Sequence, residues 1–298
     1  MQGQTVSDPP ESRPKPAKIE VTPVSAAIGA EVHGVDLAAV DDATFAAIHD
    51  AWLEHLVLLF RGQTLTDADL VAFSKRIGEL DIAPPNENGQ GGVEGHPEVL
   101  ILSNVIENGQ PIGALGNAEA VWHSDMNYID KPPTASVLYS LEIPETGGDT
   151  GFCNMYRALD DLPADLRQRL DGLSIKHDSS TNSGGFLRKG AEPVTDVAKC
   201  PGAVHPIIRT HPETGRPALY LGRRRHAYVM GLPVDESEAL LDEIWAHATQ
   251  QALTWHHQWR AGDVLMWDNR CAMHRRDDFD PAARRIMHRT QIKGDKPY

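Results

Sequence analysis

The chain has 298 residues and a formal net charge of −14, with 41% hydrophobic and 23% charged residues. That balance suits a folded globular protein with a sizeable core, and the negative charge argues against a general nucleic-acid binder. Cys153, Cys200 and Cys271 form no CxxC pair, which points to reduced thiols in a cytoplasm and away from a disulfide framework or zinc site. No apolar run is long enough to span a membrane, and no apolar core of a secretory signal is present near the N-terminus.

In chain order, residues 1–17 are rich in Pro, Ser and charge and read as a disordered tail. Residues 18–298 are expected to form a single domain. Asp42 to Leu56 is an amphipathic helix, with Phe45, Ile48, Trp52 and Leu56 at helical spacing. Leu56-Val57-Leu58-Leu59-Phe60 has the pattern of a buried strand. Thr66-x-x-Asp69 resembles a capping box and opens a second helix, with Gly78 at its end. Strands are expected at Val99–Ser103, Thr134–Ile143 and Asp149–Asn154, the last two joined through Pro144 and the Gly147-Gly148 turn. Residues 157–172 read as a helix stopped by Gly172, and Asp235-x-x-Glu238 opens another. Further strands are expected at Ile207-Ile208, Ala218–Leu221, Ala252–Trp259, Val264–Trp267 and Arg285–Lys293. Short strands spread along the chain with flanking helices fit an α+β, mainly β fold, the double-stranded β-helix or cupin-type jelly roll. The short basic run Arg223-Arg224-Arg225-His226 reads as a solvated loop.

Trp122-His123-Ser124-Asp125 places a carboxylate two residues after an imidazole, and His274 follows 149 residues after Asp125. On a strand the first two would share a face. Two imidazoles and a carboxylate can cap one face of a ferrous ion and leave three positions open for a co-substrate and O₂. Trp122 and Trp267 would help wall the site. His-x-Asp alone is a trivial pattern; His96 and His211 also precede an acid by two positions, in His-Pro-Glu turns. The downstream arginines add to it. Arg285 and Arg289 have one strand parity, and two arginines on a buried face call for anions; a solvated edge strand is the alternative. Arg285 is the candidate clamp for 2-oxoglutarate, Thr150 can add a hydroxyl donor, and Arg289 then faces the prime substrate.

These stretches, with Gly29–Leu37, Pro144–Thr150, Arg209–Pro212, Trp267–Arg270 and Arg284–Pro297, resemble the taurine dioxygenase/TfdA family of Fe(II)/2-oxoglutarate dioxygenases in order and spacing over roughly residues 20–298. The resemblance implies a jelly-roll core, iron held by His123, Asp125 and His274, and 2-oxoglutarate held by Thr150 and Arg285. It also implies a homo-oligomer, a dimer or tetramer. The intact carboxylate of Asp125 implies hydroxylation, because related halogenases have a small residue there. The loop Asp81–Asn86 lacks the His and Tyr that the taurine enzyme uses, and Glu119 stands in place of its Asn, which argues against taurine itself. Leu221–Ala227 resembles a stretch of some aryloxyalkanoate dioxygenases. The expected substrate is therefore a small anion, a carboxylate or sulfonate. An amino-acid or other carboxylate hydroxylase of a biosynthetic pathway is the alternative within the class. A non-catalytic metal-binding cupin and a zinc hydrolase are the alternatives outside it.

Overall fold

The computed structural model describes residues 15–84, 91–116, 120–182 and 185–298. Most of the expected tail, part of the 81–86 loop and Glu119 lie outside the described residues. Two sheets carry the architecture. Their strands are β1 (Glu20–Pro23), β2 (Ala30–His33), β3 (Val57–Phe60), β4 (Leu100–Ser103), β5 (Ala114–Leu115), β6 (Ala120–His123), β7 (Ala135–Glu142), β8 (Thr150–Asn154), β9 (Thr254–His257), β10 (Val264–Asp268), β11 (Ala272–Arg276) and β12 (Ile286–Ile292). The larger sheet runs β1-β2-β3-β10-β7-β12-β4-β5 and the smaller β9-β8-β11-β6. Shorter pairs involve Ser174–Lys176, Val204–Pro206, Tyr228–Val229, Ile208–Thr210 and Pro217–Leu219.

The continuous apolar runs follow from burial on both faces of the large sheet. Leu58, Phe60, Val137, Tyr139 and Met266 point outward into a core shared with Ile48 and Trp52 of α1 (Asp42–His55) and Leu70 and Phe73 of α2 (Asp67–Lys75). Val57, Leu59, Leu138, Leu265, Trp267 and Met287 point inward, into a core with Phe152 and Met273 of the small sheet. Alternation along β12 therefore splits its side chains between two jobs. His288 bonds Asp67 at 2.6 Å and Thr290 bonds Ser74 at 2.6 Å, both on α2. Their neighbours Met287, Arg289 and Gln291 have the other parity and face the interior.

Local signals set the helix ends. Asp41 accepts the Thr44 N–H at 2.7 Å at the start of α1, and Leu56, at φ 66°, turns the chain from α1 into β3. The Thr66/Asp69 capping box forms as expected, but α2 stops at Lys75, short of Gly78. Residues 157–172 do not form one helix. They divide into α3 (Met155–Asp160) and α4 (Ala164–Leu170), because Pro163 has no N–H to continue the first helix and instead starts the second. α5 (Val234–Ala248) begins after Pro233, so Asp235 and Glu238 lie inside it and do not cap it.

Candidate metal and co-substrate site

The site lies between the sheets. His123 ends β6 and His274 sits opposite it on β11, as cross-strand partners with ring centroids 4.2 Å apart. Asp125 is not on the strand; it lies in the turn that follows, next to Met126 at φ 46°. Strand alternation alone therefore does not place it, and the turn brings its carboxylate back. Asp125 Oδ1 is 3.6 Å from His123 Nε2 and 3.8 Å from His274 Nε2. Adjacent ligands of an octahedral ion with bonds of about 2.1 Å are roughly 3 Å apart, so modest inward movement would complete the set.

Protonation states suit a cation. The His123 Nδ1–H donates to the Val121 carbonyl at 2.7 Å, which orients the ring so that Nε2 faces Asp125. Burial, then the neighbouring His123, pushes His274 down to about 3, so its ring is neutral. Burial works to raise Asp125, but Arg289 and the two imidazoles hold it well below the usual carboxylate range. Trp267 and Phe152 pack on the His274 ring, at 4.8 and 6.3 Å. Trp122 does not join this wall. It points to the opposite face of the small sheet, against His256 and Arg275.

Thr150 begins β8, also on the inner face, and its Oγ1 accepts the Trp259 indole N–H at 2.9 Å. An indole nitrogen only donates, so the hydroxyl hydrogen is free for another acceptor. Arg285, just before β12, is 3% exposed, and its Nε has no partner among the described residues. Burial first, then the charge of Arg276, brings it down to about 9. A buried guanidinium without a carboxylate is a receptor for an anion. Gly148 explains the close approach: a Cβ there would meet Arg285 Nε at 3.3 Å and Phe279 at 3.4 Å. Arg276, the cross-strand partner of Thr150, was not singled out from the sequence. It and Arg285 both lie over Phe279, at 5.6 and 5.9 Å. Nothing local marks Arg276; it belongs to this end of the site only through the register of β8 and β11.

Arg289, on the same inner face of β12, places Nη1 3.4 Å from Asp125 Oδ1, and its Nη2 donates to Gln291 Oε1 at 3.2 Å. The basic run is not a solvated loop throughout. Arg223 is buried and donates to the carbonyls of Thr181 and Asp178 at 2.6 and 2.8 Å, while Arg224 pairs with Glu238 and Asp242 on α5.

The described residues contain no helix long and apolar enough to cross a membrane. The family model described as "Taurine catabolism dioxygenase TauD, TfdA family" matches residues 20–291. An (S)-phenoxypropionate/alpha-ketoglutarate-dioxygenase of Delftia acidovorans is 34% identical, covering 93% of this chain and 95% of its own. An alpha-ketoglutarate-dependent 2,4-dichlorophenoxyacetate dioxygenase of Cupriavidus pinatubonensis is 36% identical, covering 81% and 86%. The crystal structure of a taurine dioxygenase from Burkholderia xenovorans superposes with a TM-score of 0.76 at 36% identity, covering 94% of this chain and 90% of that one.

Proposed function

Since the chain belongs to the TauD/TfdA family of Fe(II)- and 2-oxoglutarate-dependent dioxygenases, we propose that His123, Asp125 and His274 hold its iron, Thr150 and Arg285 its 2-oxoglutarate, and Arg289 the anion of its prime substrate. The enzyme hydroxylates a small anionic organic substrate and converts 2-oxoglutarate and O₂ to succinate and CO₂. We read the two facing sheets as the double-stranded β-helix and residues 18–298 as one domain.

Iron in this site would bind 2-oxoglutarate and O₂ together and supply the oxidising power for C–H cleavage. The protein's share is positioning. Arg285 takes the far carboxylate of 2-oxoglutarate in a charge-assisted fork, with the Thr150 hydroxyl as a second donor. Trp267 and Phe152 exclude water on the His274 side.

The 3.4 Å approach of Arg289 to Asp125 carries the substrate reading. An anion held by Arg289 lies close to the metal, which presents the C–H adjacent to that anion. In an aryloxyalkanoate this carbon also bears the ether oxygen, so hydroxylation gives a hemiacetal that collapses to a phenol and a 2-oxo acid. In an alkylsulfonate the hydroxylated carbon instead collapses to an aldehyde and sulfite. The Delftia acidovorans and Cupriavidus pinatubonensis relatives are named for aryloxyalkanoates, and we favour that class. Phenol release from a substrate panel supports it, sulfite release moves the substrate to sulfonates, and a stable alcohol supports biosynthetic hydroxylation.

The first test is anaerobic addition of Fe(II) and 2-oxoglutarate, followed by visible absorption, in wild type and Arg285→Ala. A charge-transfer band that saturates in wild type and weakens in the variant is expected. Its absence from wild type would return the chain to the binding-module or hydrolase readings. The three buried free thiols fit a cytoplasmic location, and the family habit fits a dimer or tetramer, which size-exclusion with light scattering would measure.

A further inference from the structure

Asp125 has two oxygens, and they face different surroundings. Oδ1 faces the two imidazoles and Arg289. Oδ2 accepts the hydroxyl of Ser136 on β7 at 2.8 Å. Ser136 is fully buried, and its hydroxyl has two further neighbours: Asn269 Nδ2 at 3.1 Å and Gln291 Nε2 at 3.4 Å.

The direction of every bond in this network is fixed by groups that can only donate. The Trp267 indole donates to Asn269 Oδ1 at 2.8 Å, so the other end of Asn269 is its NH₂, which must donate to Ser136. Arg289 donates to Gln291 Oε1, so Gln291 likewise offers its NH₂. The two lone pairs of the Ser136 oxygen are thus directed to two amides. Its single hydrogen has one acceptor left, Asp125 Oδ2.

We propose that Ser136 is a positioning residue that keeps Asp125 a one-oxygen ligand and thereby keeps the O₂ position of the metal open. The count of positions supplies the reason. An octahedral ion has six; two imidazoles and one carboxylate oxygen use three, and chelating 2-oxoglutarate uses two, which leaves one. A carboxylate bound through both oxygens would take that last position. Ser136 opposes this by occupying Oδ2, and Gln291 ties the same serine to the arginine assigned to the substrate anion. The proposal rests on the metal reading above.

Mn(II) alone is a sufficient probe. Its affinity and the number of exchangeable waters on it, read from water-proton relaxation, are compared in wild type, Ser136→Ala, Ser136→Thr and Asp125→Ala. In wild type about three waters are expected, the positions left by three protein ligands. In Ser136→Ala the count should fall to about two, with relaxivity per bound Mn(II) lower by roughly a third; Ser136→Thr, which keeps the hydroxyl, should stay near wild type. An unchanged water count in Ser136→Ala overturns the proposal, and an affinity loss without a change in count does the same, because it marks the serine as support for the strand only. If wild type binds no Mn(II), or Asp125→Ala binds it equally well, the metal reading itself fails.

Discussion

The His123–Asp125–His274 cluster and the His211–Asp268–Cys271 cluster offer a cation similar donor sets: three buried side chains each, with ligand atoms within 4.8 Å of one another. Their carboxylates differ in what already surrounds them. Asp268 Oδ1 accepts the backbone N–H and Nε–H of Arg270 at 2.9 and 2.8 Å, and Oδ2 accepts Arg270 Nη2 at 2.7 Å and His211 Nε2 at 2.9 Å. Arg270 continues to Glu213 at 2.7 Å, which meets His49 at 3.0 Å. In that network the arginine occupies both oxygens of the carboxylate. Asp125 commits its outer oxygen to Ser136 at 2.8 Å, while its inner oxygen accepts one long hydrogen bond, from Arg289 Nη1 at 3.4 Å. Residue types therefore do not distinguish a structural lock from a proposed metal site; how fully the carboxylate is engaged does.

The sharpest test of that contrast is to remove each centre. Asp125→Ala should reduce succinate formation to background while the protein stays folded, since it removes one carboxylate whose neighbouring cation, Arg289, is only partly buried, and it does not open the core. Full turnover in this variant would refute the triad. Arg270→Met should do the reverse. It leaves Asp268 buried with only His211, at a cost of about 3–5 kcal/mol in stability, measurable by denaturant unfolding, with turnover retained at low temperature. A stable Arg270→Met protein would mean that the lock contributes little.

The two arginines of the open site should separate next. Removing a buried charge-assisted fork costs on the order of 2 kcal/mol or more, so Arg285→Ala should raise the KM for 2-oxoglutarate about 30-fold or more. Its effect on the prime substrate should be much smaller. Arg289→Ala should show the opposite pattern in the same steady-state assay, and equal effects on both substrates would reassign the pair.

The smallest effect concerns pH. The His49 hydrogen bond first, then Arg270, brings Glu213 from 4.5 down to about 2 against the opposing effect of burial. Its folded pKa lies below its unfolded one, so its stabilisation is present above about 4.5 and is lost as the pH falls toward 2. Melting temperatures should fall less steeply over that window in Glu213→Gln than in wild type. Parallel curves would remove Glu213 from the acid response.

Much of this was legible in the sequence where the information is local. The capping box at Thr66, the buried run of β3 and the turn at Gly147-Gly148 each depend on a few adjacent residues. His123, Asp125 and His274 were legible as a set because a resemblance supplied the pairing of distant strands. Arg276, Ser136 and Gln291 were not, since each reaches the site through register: Thr150 opposite Arg276, and Ser136 opposite both Gln291 and Trp267. The Arg270 lock was hidden for the same reason. The sequence shows Trp-Asp-Asn-Arg, but only the folded chain shows that Asp268 turns to His211 and Arg270 while Asn269 turns to Ser136.

All three cysteines lie behind the surface, each no more than 2% exposed. Burial raises their thiols well beyond neutral pH; Cys200 is pushed up to about 11. The thiolate is the form that oxidants and alkylating agents attack, so an enzyme that handles ferrous iron and oxygen keeps its softest side chains protonated and covered. The same shielding makes them reporters: folded molecules should resist a thiol reagent, and the pace at which Cys153, Cys200 and Cys271 become labelled would time the opening of the core around each.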